Sequence, residues 1–239
     1  MKKQILTTLS LAIIAGVLSL TSCKTEDAGA PMITITGGNS QSQSLPSIAN
    51  NGTWTNPTAT AMDDEDGDIS MSITVSGTVN PNTAGNYELT YTVSDAAGNT
   101  ATEILVVTIA NDAADFNGVY NVHDSVPFLP AFLYTIKVTP SQTINNRIEF
   151  DYNTGVLGFA YYQNNGNIYA TSTGTGIGAT VTLPFQIANT IGSPAENHDF
   201  QGNGTVLATS PFKFNITYTD HNISNSSTAS GCIMTLTKI

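Results

Sequence analysis

The feature that most constrains the fold is a two-residue alternation of apolar and polar side chains, repeated along the chain and broken by turn-forming residues. It is clearest from Tyr87 to Val93, where apolar residues take every second position and Glu88 and two threonines stand between them. This period is typical of a strand with one face in a core and the other in solvent. A second run, rich in β-branched residues, extends from Thr102 to Ile109. Only 10% of the residues are charged, which also favours sheets with many turns over helical bundles.

The chain divides at a polar segment that begins at residue 111. Short strand-like runs separated by turns over residues 31–111 predict a small β-sandwich. Residues 112–239 are long enough for a core of their own. They contain further strand-like runs at Gly118–Val122, Phe132–Val138, Arg147–Asp151, Val156–Tyr162, Asn167–Thr171, Ala179–Ile187, Gly204–Leu207, Phe212–Tyr218 and Cys232–Thr237. The sequence therefore predicts an all-β protein, with a β-sandwich followed by an antiparallel domain that is either a β-barrel or a second β-sandwich.

The first residues indicate where the protein is sent. Lys2 and Lys3 precede an apolar run over residues 5–20, which is shorter than the roughly 20 residues needed to span a bilayer. The run ends in Leu-Thr-Ser followed by Cys23, an arrangement that resembles the bacterial lipoprotein signal. The resemblance implies that residues 1–22 are a signal peptide and that Cys23 carries lipid.

The segment after the cysteine narrows this destination. Residues 23–30 are expected to form the lipidated cysteine and a linker, because the residues that follow Cys23 are small or polar. Glu26 and Asp27 resemble the Bacteroidetes surface-export signal. We therefore expect a lipid-anchored protein of the outer membrane that faces the cell exterior.

Several motifs in the predicted sandwich carry a family resemblance. They are GTWTNPTATA at 52–61, DDEDGDI at 63–69, GNY at 85–87, YTVSD at 91–95 and GNTA at 98–101. Together they resemble the bacterial immunoglobulin-like (Ig-like) module of Bacteroidetes lipoproteins, which is related to the Ig-like domains of pesticidal crystal proteins and to hyalin repeats. The resemblance implies an Ig-like sandwich that acts as a spacer or a binding module.

The C-terminal domain has a looser resemblance, and the overall charge excludes one class of partner. Residues 116–120 and 202–206 resemble C-terminal β-domains, of unknown function, in Bacteroidetes outer-membrane lipoproteins. The chain has 18 acidic and seven basic residues, with a net charge of −11. Because phosphate backbones are bound through clustered basic side chains, nucleic acid is not an expected partner.

An acidic run between residues 63 and 68 is the sharpest candidate site. Its carboxylates repel one another, and a hard cation would relieve that repulsion. An Ig-like sandwich would bring the loop after residue 94 to the same end of the domain. The predicted calcium ligands are therefore Asp63, Asp64, Asp66, Asp68 and Asp95. The rest of an EF-hand loop is missing, and the alternative is a solvated turn in which aspartates cap backbone N–H groups.

Three tyrosines form the second candidate site. Tyr161, Tyr162 and Tyr169 flank an Asn-Asn-Gly sequence that is a strong hairpin signal. Adjacent residues in a strand point to opposite faces, so Tyr161 or Tyr162 is expected on the outside. An exposed aromatic ring there could stack on a sugar. The alternative is that these tyrosines are ordinary core and surface residues.

No motif predicts catalysis. His123, His198 and His221 do not form a metal-binding pattern, and no Gly-x-Ser-x-Gly elbow is present. Cys232 has no partner once Cys23 carries lipid, and its strand-like surroundings predict burial. We therefore expect a protein that is not an enzyme.

These observations predict a lipid-anchored cell-surface protein that binds carbohydrate through its C-terminal domain, with the Ig-like domain as a spacer. Its expected partners are outer-membrane lipid, through Cys23, and a polysaccharide or a surface protein. Three alternatives remain open. They are a structural or adhesive protein stiffened by calcium, a barrel that carries a small molecule, and a hydrolase whose motif is not recognisable.

Overall fold

The computed structural model describes residues 27–151, 162–163, 168–190 and 197–239, so Cys23 lies outside the described residues. The strands are β1 (Met32–Ile35), β2 (Ser40–Ser44), β3 (Ala59–Asp63), β4 (Gly67–Asp68), β5 (Thr74–Ser76), β6 (Gly85–Ser94), β7 (Thr100–Ala110), β8 (Gly118–Ser125), β9 (Phe132–Pro140), β10 (Arg147–Asp151), β11 (Tyr162–Gln163), β12 (Ile168–Ser172), β13 (Thr180–Thr190), β14 (Asn197–Thr209), β15 (Phe212–Asn222) and β16 (Ser227–Lys238). Two short 3₁₀ helices are formed by Ser70–Ser72 and Ala114–Phe116. Among the described residues, no helix has both the length and the apolar character needed to cross a membrane.

The N-terminal domain is a sandwich of two sheets. One sheet has the strand order β1-β3-β4 and the other has the order β2-β7-β6-β5. The alternation predicted for β6 is confirmed, because Leu89, Tyr91 and Val93 are buried between the sheets. Burying a large apolar side chain contributes about 1.5–3 kcal/mol. The hydroxyl of Tyr91 donates a hydrogen bond of 2.9 Å to the Pro57 carbonyl, which satisfies its polar end.

The C-terminal domain is a closed eight-stranded barrel, so the barrel alternative is the correct one. Its strands follow one another in the order β8-β9-β10-β12-β13-β14-β15-β16, and each pairs antiparallel with the next. β16 then pairs with β8 and closes the sheet. The short strand β11 pairs with the end of β13 and is additional to this ring.

Aromatic side chains fill the barrel at the end next to the sandwich. Phe116, from the second 3₁₀ helix, packs edge-on against Phe212 and Phe214, with ring centroids 4.8 and 5.1 Å away. Tyr120 packs against Phe214 at 5.5 Å, and its hydroxyl donates to the Phe116 carbonyl at 2.8 Å. All four rings are buried, so this end of the barrel is a packed core.

One buried side chain joins the two domains. Asn111 follows β7, and its amide nitrogen donates to the carbonyls of Ser141, Ile144 and Arg147 at 2.8, 3.0 and 3.3 Å. All three carbonyls belong to the β9–β10 connection or the start of β10. The polar segment at which the sequence divides the chain is therefore held in place by hydrogen bonds.

The carbonyl oxygen of the same side chain accepts two further hydrogen bonds. The donors are the backbone amides of Ala113 and Asn146, both at 2.9 Å. Two backbone hydrogen bonds also cross the junction, from the Ala84 amide to the Gln142 carbonyl at 2.8 Å and from the Asn145 amide to the Pro46 carbonyl at 2.9 Å.

The directions of β6 and β7 show which end of the sandwich their connecting turn occupies. β6 starts beside the junction and runs away from it, and β7 returns to the junction. The turn between them therefore lies at the far end of the sandwich. The ten residues of β6 span about 33 Å at 3.3 Å per residue.

Candidate binding sites

Three carboxylates from separate segments meet at the end of the sandwich away from the barrel. Asp27 precedes β1, Asp63 ends β3 and Asp95 follows β6. One carboxylate oxygen of each lies within 4.8 Å of the other two. The side chains of Asp63 and Asp95 are buried, with 7% and 8% exposure, and Asp27 is half-buried. We call these three residues the acidic cluster.

Asp63 has one oxygen that is bonded and one that is not. Its Oδ2 accepts hydrogen bonds from the amides of Glu65 and Asp66 at 3.0 and 2.9 Å, which fixes the β3–β4 turn. Its Oδ1 is buried and has no hydrogen-bond partner among the described residues. A buried carboxylate oxygen without a partner is costly, so this atom needs an explanation.

Asp95 is held by donors from its own turn. Its Oδ1 accepts from the amides of Gly98 and Asn99 at 2.6 and 2.8 Å, and its Oδ2 accepts from the Asn99 side chain at 2.8 Å. Burial raises the pKa of Asp95, but these hydrogen bonds outweigh it and hold the pKa below its usual value. Asp95 is therefore negatively charged at neutral pH.

The other predicted calcium ligands have different partners. Asp66 Oδ2 accepts from the Ala96 amide at 2.7 Å and ties the β3–β4 turn to the β6–β7 turn. Asp68 accepts from the amide and hydroxyl of Ser70, and these two bonds lower its pKa. Asp64 is exposed, and its carboxylate lies beside Gly29. The three aspartates at alternate positions, Asp64, Asp66 and Asp68, therefore do not converge on one site.

Asp27 is the member of the acidic cluster that the sequence analysis missed. It stands 36 positions before Asp63, within the predicted linker. Its Oδ1 accepts from the Gly29 amide at 2.9 Å, and its carbonyl accepts from the Asn99 side chain at 3.2 Å. No local motif marks this residue, because the fold alone brings it to the cluster.

A second candidate site is a groove of about 550 Å³ on the outer face of the barrel. It crosses β13, β14 and β15, and the residues that line it are all uncharged. Phe185 projects into solvent at its edge, with 59% of its surface exposed. Gln201 and Asn203 from β14, with Thr217 and Thr219 from β15, supply polar groups.

An irregularity in β13 turns Phe185 outward. The pairing of β13 with β14 shifts between Leu183 and Gln186, so an extra residue is accommodated there. The Gln186 amide donates to the carbonyls of Tyr169 and Pro184 at 2.8 and 3.1 Å. Its Oε1 accepts from the Tyr169 amide at 2.9 Å and completes the interrupted ladder.

The three predicted glycan-stacking tyrosines are placed as follows. Tyr161 lies outside the described residues, and only the backbone of Tyr162, which pairs with Thr190, is described. Tyr169 is half-buried in β12, and the guanidinium carbon of Arg147 lies 3.9 Å from its ring centroid. One face of this ring is therefore covered by Arg147.

The barrel interior contains a polar group at the end away from the sandwich. Asp124 is fully buried and accepts hydrogen bonds from the hydroxyls of Tyr218, at 2.9 and 3.0 Å, and Tyr134, at 3.3 Å. Burial raises the pKa of Asp124 to about 6. Cys232 is also buried, as predicted, and burial raises the pKa of its thiol to about 11. A thiol in this state is a poor nucleophile at neutral pH.

Two of the three histidines pair with aspartates across one strand pair. His198 Nδ1 lies 2.6 Å from Asp220 Oδ1, and His221 Nδ1 lies 2.9 Å from Asp199 Oδ2. Each histidine of β14 or β15 is therefore matched with an aspartate of the other strand. The sequence neighbours His198 and Asp199 do not pair with each other.

The fold and these sites define an all-β protein with an Ig-like sandwich joined to a closed barrel. Residues 33–109 match the family model of the Ig-like domain of bacterial surface proteins. The N-terminal domain is therefore of the bacterial surface Ig-like class. No curated protein matches the chain.

Three solved structures are similar to the chain. A lipoprotein from Bacteroides thetaiotaomicron is 15% identical over 87% of this chain and 100% of its own, with a TM-score of 0.31. The M60 catalytic domain with two CBM51 domains of Clostridium perfringens ZmpB is 13% identical over 88% of this chain and 21% of its own, with a TM-score of 0.28. CBM51-2 of the same protein, in complex with GlcNAc and with INT domains, is 13% identical over 87% of this chain and 44% of its own, with a TM-score of 0.26. Likenesses this distant carry no argument about function.

Proposed function

We propose that the protein is a non-enzymatic binding protein of the bacterial cell surface, in which the barrel binds a neutral carbohydrate in its outer groove. The Ig-like domain holds the barrel away from the membrane. The observation that carries this proposal is the groove of about 550 Å³ with the exposed ring of Phe185 at its edge.

The chemistry of the groove fits a sugar. The flat apolar face of an aromatic ring packs against the C–H groups of a pyranose and favours binding through buried apolar area. The amides of Gln201 and Asn203 and the hydroxyls of Thr217 and Thr219 are suited to the sugar hydroxyls. Binding sites commonly combine an apolar surface with a few polar groups in this way.

The charge distribution favours a neutral ligand. The groove is lined by uncharged residues, and the chain has a net charge of −11. An anionic polymer would be repelled by the acidic chain, and a cation would find no carboxylate in the groove. We therefore expect neutral polysaccharides to bind better than acidic ones.

Attachment to the membrane rests on the sequence around Cys23. A basic start, an apolar run and a cysteine after small residues support lipidation of Cys23 at the outer membrane. The test is incorporation of an alkyne-labelled fatty acid, which we expect in the natural protein and not in Cys23→Ala. Incorporation that persists in Cys23→Ala would refute attachment at this residue.

Binding to an array of neutral and acidic glycans tests the carbohydrate proposal. We expect Phe185→Ala to weaken binding at least tenfold, which corresponds to about 1.4 kcal/mol. The matched control is Leu133→Ala, which removes another exposed apolar side chain from β9, four strands around the barrel from β14. An array without binding, or binding that Phe185→Ala leaves unchanged, would refute the proposal.

A further inference from the structure

We propose that the acidic cluster, Asp27, Asp63 and Asp95, binds one calcium ion at the end of the Ig-like domain away from the barrel. The ion would join the segment before β1 to the β3–β4 and β6–β7 turns. This inference is independent of carbohydrate binding, because it concerns the other domain and another ligand.

Without a cation, the acidic cluster costs free energy. Three carboxylates have oxygens within 4.8 Å of one another, and two of these side chains are more than nine-tenths buried. Like charges at this distance repel, and burial strengthens the repulsion because little water is present to screen it. The unpartnered Oδ1 of Asp63 belongs to the most buried member.

The Ig-like domain supplies no basic side chain to the acidic cluster. Residues 27–111 contain nine aspartates and glutamates and no lysine, arginine or histidine. The described basic residues, Lys137, Arg147, Lys213 and Lys238, all belong to the barrel. A buried group of carboxylates is normally neutralised by a basic side chain or a metal ion. Because residues 27–111 contain no basic side chain, an ion from solution is the counter-charge that we propose.

The spacing and the oxygen ligands of the acidic cluster fit calcium in particular. Calcium binds six to eight oxygens at about 2.3–2.6 Å, so ligands on opposite sides of the ion lie about 5 Å apart. The spacing of up to 4.8 Å in the cluster agrees with this. The cluster offers oxygen alone, whereas zinc prefers nitrogen and sulfur. Magnesium requires shorter distances and a stricter octahedron than three separate segments readily supply.

The ligands are partly arranged in advance. The amides of Glu65 and Asp66 hold Asp63 Oδ2, which leaves Oδ1 for the ion. The amides of Gly98 and Asn99 hold Asp95 Oδ1 and the Asn99 side chain holds its Oδ2, so the ion would share an oxygen that already accepts a hydrogen bond. Asp27 is the least buried of the three, so binding would chiefly fix the segment before β1 onto the domain.

Calorimetry and thermal unfolding of the full chain in detergent test the proposal. After chelation, we expect one calcium per chain with a Kd of about 10⁻⁴–10⁻³ M, as in extracellular modules. Trp54 is the only tryptophan and packs against the sandwich core, so its fluorescence follows this domain. We expect 10 mM calcium to raise the thermal unfolding midpoint of the Ig-like domain by about 5 °C, and we expect magnesium to raise it much less.

The difference in melting temperature between Asp63→Asn and the natural protein should change sign when calcium is added. A purely structural role of Asp63 would not produce this change. Asp63→Asn keeps an oxygen for the turn amides but removes one buried charge. Without calcium we expect Asp63→Asn to melt higher than the natural protein, and with calcium we expect it to melt lower. Asp27→Asn is a second variant that leaves the strands intact. The control is Glu88→Gln, which removes an exposed charge of the same domain and should retain calcium binding.

Three results would overturn the proposal. The first is the absence of a calcium-dependent midpoint in the natural protein. The second is equal calcium binding by Asp63→Asn. The third is that Lys24→Gln has a lower unfolding midpoint than the natural protein without calcium and that calcium does not change the midpoint of this variant. The counter-charge would then come from Lys24.

Discussion

Asn111 is expected to contribute more to stability than any other polar side chain at the junction. Its replacement by alanine would remove the donor to three carbonyls and the acceptor of two amides. Asn111 itself is buried, with 6% exposure, so water cannot easily replace it.

The magnitude follows from the number of bonds. A buried hydrogen bond contributes about 0.5–1.5 kcal/mol net, and the longest of the five, at 3.3 Å, is discounted. The remaining four give a loss of about 2–6 kcal/mol for Asn111→Ala. With a urea slope of about 2 kcal/mol per M, the unfolding midpoint should fall by about 1–3 M.

Urea unfolding with two probes measures this loss. Far-UV circular dichroism reports all strands, whereas Trp54 fluorescence reports the sandwich. In the natural protein we expect the two transitions to coincide because the domains are joined. In Asn111→Ala we expect both to shift to lower urea and to separate.

Two further variants sharpen the test. Asn111→Asp keeps the shape and the acceptor but places a carboxylate against three carbonyls, so it should destabilise at least as much. Asn86→Ala is the control, because Asn86 is exposed in β6 and accepts one bond from Thr108. Shifts under about 0.3 M for both Asn111 variants would refute the reasoning, since the hydrogen bonds would then carry less than about 1 kcal/mol.

Three other predictions concern the barrel. Because the pKa of Asp124 is raised from 3.8 to about 6, its ionisation destabilises the folded state as pH rises from 4 to 6. Asp124→Asn should therefore gain about 2–2.5 kcal/mol relative to the natural protein between pH 4 and pH 7 in urea titrations, and a constant difference would contradict this. Gly204→Ala should greatly destabilise the barrel because a Cβ there collides with the Asn215 carbonyl, whereas Gly176→Ala, with open space around it, should leave the melting temperature within about 2 °C. With the other cysteine removed, Cys232 should react with a thiol reagent in denaturant and not in buffer, and rapid reaction in buffer would show that it is accessible.

The sequence predicted the strands whose side chains alternate and missed those whose side chains do not. β2 reads Ser-Gln-Ser-Gln-Ser, with no apolar residue, and forms a parallel edge pair with β7 through backbone hydrogen bonds. The first part of β14, from Asn197 to Asn203, is polar and contains glycine, so the predicted strand began only at Gly204. Its pairing with β13 and β15 on both sides decides its structure. Pairing between strands that are distant in sequence cannot be inferred from the local alternation of side chains.

Site residues could be predicted from the sequence only where they lie together in one loop. The acidic run at 63–68 was visible, but its meeting with Asp27 depends on how β1 pairs with β3. The hairpin predicted at 164–166 lies outside the described residues, and the two described residues before it, β11, pair with β13. Phe185 was not predicted because the irregularity that exposes it arises from strand pairing.

Closure of the barrel by its last strand has a consequence for how the protein matures. Tyr120 of β8 pairs with Lys238 of β16, and until that pairing forms both strands keep an open edge. A chain that emerges from its N-terminus can complete the sandwich long before the barrel. Because contacts between residues so distant in sequence form slowly, the unfinished barrel is the stage most exposed to aggregation and proteolysis. The N-terminal sandwich would already be folded at that stage. It would be the first part of the molecule able to stabilise the incomplete barrel.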